Sequence, residues 1–133
     1  LIAATRRRIK QIVLVRAGQF GLTPQQFWLL VALDEGGSQS LHTLAQRART
    51  DDPTASRVVQ SLVTAGLVTS KPDPADRRRA CLELTPDGQA RAASLVAAAR
   101  DIRSLIEREL TPEEREVVRT ALHKILACLE AAA

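Results

Sequence analysis

The chain has 133 residues, with 19 bases against 15 acids for a formal charge of +4, and 45% of its residues are hydrophobic. A chain of that length buries roughly two thirds of the surface its unfolded form exposes, enough for one domain with a core of its own. Two cysteines, Cys81 and Cys128, give no disulfide framework and no C-x-x-C spacing, and no apolar run approaches the ~20 residues of a membrane span. A soluble protein of the reducing cytoplasm is expected. Because the sequence begins at Leu1 and contains no methionine, its native start is expected to lie upstream, with the first helix longer than the residues given.

Residues 1–22 carry Arg6, Arg7, Arg8, Lys10 and Arg16 and no acid, with Ile2, Ile9, Ile12 and Val13 as the apolar positions of a first helix. Thr23-Pro24-Gln25-Gln26 reads as a capping box with proline in the first turn, and Phe27, Leu30, Val31 and Leu33 form the buried stripe of a second helix. Ser40 caps a short third helix with Leu41, Leu44, Ala45 and Ala48 on one face. Asp52 before Pro53 opens a fourth, which turns Ala55, Val58, Val59 and Leu62 inward and stops at Gly66. Thr54, Ser56, Arg57, Gln60 and Ser61 stay outside.

Two β-prone segments follow, Leu67–Lys71 and Ala80–Thr85, with Pro72-Asp73-Pro74-Ala75-Asp76 as turn chemistry between them. Arg77, Arg78 and Arg79 therefore sit at the tip of a hairpin. Thr85-Pro86 starts a long fifth helix with a stripe of Ala92, Leu95, Ala99, Ile102 and Ile106, widened by Leu105. Thr111-Pro112-Glu113-Glu114 is a second capping box, and the last helix carries Val117, Val118, Ala121, Leu122, Ile125, Leu126 and Leu129, more apolar surface than one neighbouring helix covers. The expected fold is mostly α (α+β) in a single domain, 1–133. Within it, residues 23–85 form a winged-helix DNA-binding region, and residues 1–22 and 86–133 supply dimerisation helices.

The centre of this order is a helix-turn-helix. Small residues stand where two helices at a wide angle approach closely, and the polar side chains crowd the N-terminal half of the second helix, where a recognition helix reads the major groove. The turn, Arg49-Thr50-Asp51, lacks the glycine often found there and must either avoid positive φ or tolerate it at a cost. A hairpin after the unit makes it a winged helix. Candidate DNA-binding residues are Thr54, Ser56, Arg57 and Gln60 on the recognition helix and Arg77, Arg78 and Arg79 on the wing. No Ser/His/Asp group and no glycine-rich phosphate loop is present, so no catalysis and no cofactor are expected. His42 and His123 have no partners at ligand spacing, so no metal is expected either.

The chain resembles the multiple-antibiotic-resistance regulator (MarR) family of bacterial transcription factors. The residues that carry the resemblance are Gly21-Leu22-Thr23-Pro24-Gln25-Gln26-Phe27, Pro53-Thr54-Ala55-Ser56-Arg57-Val58-Val59 and Gly66-Leu67-Val68. Most specific are Asp73-Pro74-Ala75-Asp76-Arg77-Arg78 and the Leu84-Thr85-x-x-Gly88 start of the next helix. The resemblance implies a homodimer that sets two winged helices on successive turns of a pseudo-palindromic DNA operator, most simply as a repressor. It implies that Arg78 enters the minor groove, braced by Asp76, and that a small aromatic or phenolic ligand releases the DNA. Phe20 and Trp28 are the pocket candidates. The alternatives are a cysteine-based redox sensor and a winged helix turned protein-interaction module. Peroxide sensors of this family usually carry their cysteine in the first helix, where this sequence has none, and both cysteines are expected to be buried fillers.

Overall fold

A computed structural model describes all 133 residues as six helices and one hairpin. In chain order these are α1 (Ile2–Gln19), α2 (Pro24–Gly36), α3 (Leu41–Arg47), α4 (Asp52–Thr64), β1 (Val68–Pro72), β2 (Ala80–Leu84), α5 (Pro86–Glu107) and α6 (Pro112–Ala132). No helix is long and apolar enough to cross a membrane. The mostly helical winged-helix fold expected from the sequence is the one observed. The chain divides into two compact units, Leu1–Ala99 and Arg100–Ala133, with the boundary inside α5.

The first unit is organised on α2. Its capping box closes as expected: Gln26 N–H donates to Thr23 Oγ1, and Thr23 N–H donates to Gln26 Oε1. Phe27, Leu29, Leu30, Val31, Ala32 and Leu33 are all buried, so α2 is covered over more of its circumference than the four-residue stripe implies. Leu44 and Ala45 of α3 and Ala55, Val59 and Leu62 of α4 pack into the same core, with Val13 and Ala17 of α1 buried as well. Leu41, Ala48 and Val58 are only half-buried.

The hairpin is antiparallel, with Val68 opposite Leu84 and Pro72 opposite Ala80, so β1 starts one residue later than the sequence suggests. Gln39 adds a β-bridge that the sequence did not signal. Its N–H donates to the Leu82 carbonyl and its own carbonyl accepts from Leu82 N–H, at 3.1 and 2.8 Å. Gln39 is buried, and its side-chain amide donates to the carbonyls of Ala32 and Gly37, which ties the hairpin base to the end of α2.

The Leu84-Thr85-x-x-Gly88 signature has a physical reason. Thr85 Oγ1 donates to the Gly66 carbonyl at 2.6 Å and accepts from Gly88 N–H at 3.0 Å, while Thr85 N–H donates to the Leu67 carbonyl. One threonine thus caps α5 and staples its start to the end of α4. Gly88 is buried, and a Cβ there would run into the Leu67 carbonyl oxygen, so only glycine permits this approach.

In α5, Ala92 and Leu95 are buried, as is Ile102 beyond the unit boundary, but Leu105 and Ile106 are exposed. In the second unit, the α6 capping box forms between Thr111 and Glu114. No residue of α6 is buried. Cys81 is half-buried and Cys128 exposed, which corrects the reading of both as buried fillers. Cys128 stands on a helix that buries nothing within the chain.

Candidate nucleic-acid interface

The fourth helix begins one residue earlier than expected. Asp51, not Asp52, is the N-cap: its Oδ1 accepts from Thr54 N–H at 2.8 Å and its Oδ2 from the Thr54 hydroxyl at 2.9 Å. These two bonds, the backbone one foremost, hold the Asp51 carboxyl below its ordinary pKa, since both stabilise the ionised form. The Asp-x-x-Thr spacing was the available signal; Pro53 drew attention to Asp52 because proline favours the first helical position, and here it takes the second. Asp52 instead meets His42 Nδ1 of α3 at 3.1 Å, across the outside of the helix pair.

The outward face of α4 matches the expected composition. Ser56, Arg57 and Gln60 are exposed, and neither Ser56 nor Gln60 spends its side chain on another group of the chain. Thr54 is half-buried, and its hydroxyl accepts from Arg57 Nη2 at 3.3 Å. Ser61 differs: its hydroxyl accepts from Gln26 Nε2 at 2.9 Å and donates to the Val58 carbonyl, so it ties α4 to α2.

At the wing tip, two aspartates shape the loop. Asp73 Oδ1 accepts from Ala75 N–H, and Asp76 Oδ1 accepts from Arg78 N–H at 3.1 Å, each closing a local turn two residues long. Asp73 N–H donates to the Arg79 carbonyl, which closes the base of the loop. Asp76 therefore braces Arg78 through its backbone, while its carboxylate faces the Arg79 guanidinium at 3.8 Å. The side chains of Arg77 and Arg78 make no ion pair or hydrogen bond within the chain, and all three arginines are exposed. Lys71 and Glu83, paired across the strands, complete the charged edge of the hairpin.

Trp28 is 37% exposed and stands edge-on to Phe27, with ring centroids 5.1 Å apart. It lines a cavity of about 100 Å³ together with Pro24, Leu29, Thr50, Thr54 and Val58. Thr50 and Thr54 flank the turn between α3 and α4, so the cavity lies against the start of α4. Phe20 packs on Phe27 at 6.5 Å and does not line this cavity, so the two pocket candidates are not brought together. No charged side chain lines the Trp28 cavity. A larger cleft, near 460 Å³, is walled by Leu33, Asp34, Gly37, Ser38, Glu83, Leu84 and Gln89; its two carboxylates and lack of a base make it unsuited to an anion.

A MarR family sequence model matches residues 20–79, from the end of α1 through the wing. An HTH-type transcriptional regulator of Mycobacterium leprae, itself uncharacterised, is 31% identical over 127 residues, which cover 92% of this chain and 86% of that protein. The chain belongs to the MarR family. It is a transcriptional regulator and not an enzyme. The HTH-type transcriptional repressor NicR of Pseudomonas putida is 34% identical over 105 residues, 79% of this chain and 66% of the repressor, so the chain aligns with just under two thirds of NicR. The structure of Bordetella bronchiseptica BpsR, whose DNA binding is regulated by 6-hydroxynicotinic acid, superposes with a TM-score of 0.81 at 31% identity, covering 94% of this chain and 89% of that one.

Proposed function

We propose that this MarR family regulator is a cytoplasmic, homodimeric repressor that binds a pseudo-palindromic operator and leaves it when a small aromatic, hydroxylated ligand binds. The observation that carries the DNA reading is a set of exposed polar groups on two elements: Ser56 and Gln60 on α4 and Arg77 and Arg78 on the wing, whose side chains bond to nothing in the chain, and Arg57, which spends one N–H on Thr54. A structural role would use these groups inside the chain, as it uses Ser61 and Thr85. In this reading α4 lies in the major groove and Arg78 enters the adjacent minor groove, where the narrow groove's negative potential favours a guanidinium. Thr54 belongs to the same surface, and Arg79, held near Asp76, meets phosphate.

The test is operator affinity across a salt series. Log affinity should fall with log salt by about 0.9 per phosphate neutralised. Arg78→Ala and Arg57→Ala should each weaken binding by about 1–3 kcal/mol per half-site if the contact reads bases. Unchanged affinity in folded Arg78→Ala would remove the wing assignment, and the same result for Arg57→Ala would remove the recognition helix. A protein-interaction module predicts no salt-dependent DNA binding at all.

Ligand release is supported by BpsR, whose regulator is a hydroxylated aromatic acid, and by the Trp28 cavity beside the helix-turn-helix turn. A ligand releases DNA only by preferring a conformation whose recognition helices are wrongly spaced, because equal affinity for both states shifts nothing. DNA reads that spacing strictly, at about 34 Å. Trp28 is the chain's only tryptophan, so its fluorescence reports directly. Titration with salicylate or 6-hydroxynicotinic acid should change that fluorescence at the concentrations that release DNA. Release without any change at Trp28 would move the ligand site elsewhere. Peroxide-driven release that is lost in Cys81→Ser would replace the ligand reading with a redox one.

A further inference from the structure

We infer that Asp51 and Thr54 act on DNA through Arg57: Asp51 clamps Thr54 at two points, and Thr54 holds the Arg57 guanidinium in position on the recognition helix. The inference rests on the proposed role of α4 in DNA reading and adds to it how one arginine is aimed.

Asp51 receives the Thr54 backbone N–H at 2.8 Å and the Thr54 hydroxyl proton at 2.9 Å. The first bond alone suffices for an N-cap. The second consumes the hydroxyl's single donor and fixes the rotamer of Thr54, leaving oxygen lone pairs as the only capacity of that hydroxyl. Arg57 Nη2 donates into that oxygen at 3.3 Å, three residues along the helix and therefore on the same face. The remaining N–H groups of Arg57 have no partner in the chain. The arrangement is a one-way relay from carboxylate through hydroxyl to guanidinium.

The relay has no packing purpose, since Asp51 and Arg57 are exposed and Thr54 is half-buried. Its physical effect is on freedom. A solvated arginine samples many rotamers and loses that freedom on binding, whereas one already tethered with its fork turned along the helix loses less. Asp51 also carries a negative charge onto a surface that must approach phosphates. A carboxylate there opposes sequence-independent binding, so beyond the capping bond to Thr54 N–H its second bond gains by what it positions.

The test measures affinity of the whole protein for a duplex enriched from a random pool by the wild type, and for a scrambled duplex, beside thermal stability. Thr54→Val keeps the shape and removes the hydroxyl, and should weaken binding to the enriched duplex about tenfold, the scale of one hydrogen bond at each of two half-sites. Thr54→Ser should restore most of it. In an Arg57→Ala background, Thr54→Val should have no further effect, because its contribution passes through Arg57. Asp51→Asn keeps a good cap, and should strengthen binding to scrambled DNA while reducing discrimination for the enriched duplex. An undiminished loss from Thr54→Val when Arg57 is already alanine would show that Thr54 meets DNA directly and would overturn the inference. So would Asp51→Asn improving both duplexes equally. If Arg57→Ala itself leaves affinity unchanged, the reading of α4 and the relay through Arg57 are both overturned, whereas a loss in Arg57→Ala with none in Thr54→Val overturns the relay alone.

Discussion

The segment from α2 to the start of α5 and the helix α6 use similar apolar residues to opposite ends. In the first, Phe27, Leu29, Leu30, Leu33, Leu44 and Leu62 are nearly or wholly buried within one chain. In α6, Val117, Leu122, Ile125 and Leu129 are 68, 51, 43 and 64% exposed, on a helix with a closed N-terminal capping box and a regular apolar face. The winged-helix segment completes itself. The apolar face of the terminal helix has no cover within the chain, and under the proposed homodimeric reading a second copy would cover it. At roughly 25 cal/mol per Å² of apolar surface, four such side chains are too costly to leave in water on a stable helix without purpose.

The largest expected effect breaks this contrast directly. Leu122→Asp costs almost nothing in an isolated chain, because the position faces water there, but several kcal/mol once a partner chain covers it. Sedimentation should find a dimer for the parent and a monomer for Leu122→Asp, with operator affinity lower by at least about a hundredfold because one half-site is lost. A Leu122→Asp protein that still dimerises would mean that α6 is not the assembly surface.

The two regions also differ in how far the sequence reveals them. Capping boxes at Thr23 and Thr111, proline in the first turn and the period-two flanks of the wing are local signals, and they place the starts of α2 and α6 and both wing strands to within a residue. What stayed hidden depends on which partner a polar group chooses. Ser61 and Arg57 are both polar and both off the apolar stripe, yet Ser61 bonds to Gln26, thirty-five positions away, and Arg57 to its own helix. Asp76 divides its carboxylate, one oxygen accepting from the Arg78 backbone N–H and the other facing the Arg79 guanidinium, a split made by the loop's backbone turns. The bridge of Gln39 to Leu82 has no periodicity to announce it. The uncovered apolar face of α6 is legible only as surplus, since periodicity counts apolar positions and does not say what covers them.

A second substitution sharpens the contrast from the other side. Gly88→Ala forces a methyl group against the Leu67 carbonyl and should destabilise by about 1–3 kcal/mol, the range for overpacking a tight contact. This strain lies within one chain, so the loss should be the same at every protein concentration. The parent's midpoint should rise with concentration, as expected for a dimer. A Gly88→Ala protein that melts with the parent would mean that α5 can shift away from β1 freely, and that the Leu84-Thr85-x-x-Gly88 signature is not a packing constraint.

The Asp51 cap provides a pH test of the same segment. Its folded pKa lies below the unfolded one, so its contribution is present above the ordinary carboxylate range and is lost as pH falls through the folded value. Stability of the parent should therefore drop more steeply than that of Asp51→Asn below about pH 4, where the unfolded carboxylate begins to take up protons. Identical slopes would indicate that the Thr54 bonds contribute equally with Asp51 protonated.

The smallest expected effect sits at the turn between α3 and α4. Three helices of the first unit end in the same pair of bonds, from the first and second residues after the cap back to the last turn: Gly21 and Leu22 after α1, Arg49 and Thr50 after α3, Gly66 and Leu67 after α4. Each requires a left-handed residue. Gly21 and Gly66 take it at φ 68° and 75°, but Arg49 holds φ 52° with a side chain. A left-handed L-residue costs about 1–2 kcal/mol, and glycine returns roughly half of that gain through the entropy of its unfolded state. Arg49→Gly should thus stabilise the protein by about 0.5–1 kcal/mol, while Gly66→Ala, its mirror, should destabilise by a similar amount. Paired thermal melts at one concentration decide it: a fall in midpoint for Arg49→Gly would mean that the arginine side chain holds the turn together by more than its backbone strain costs.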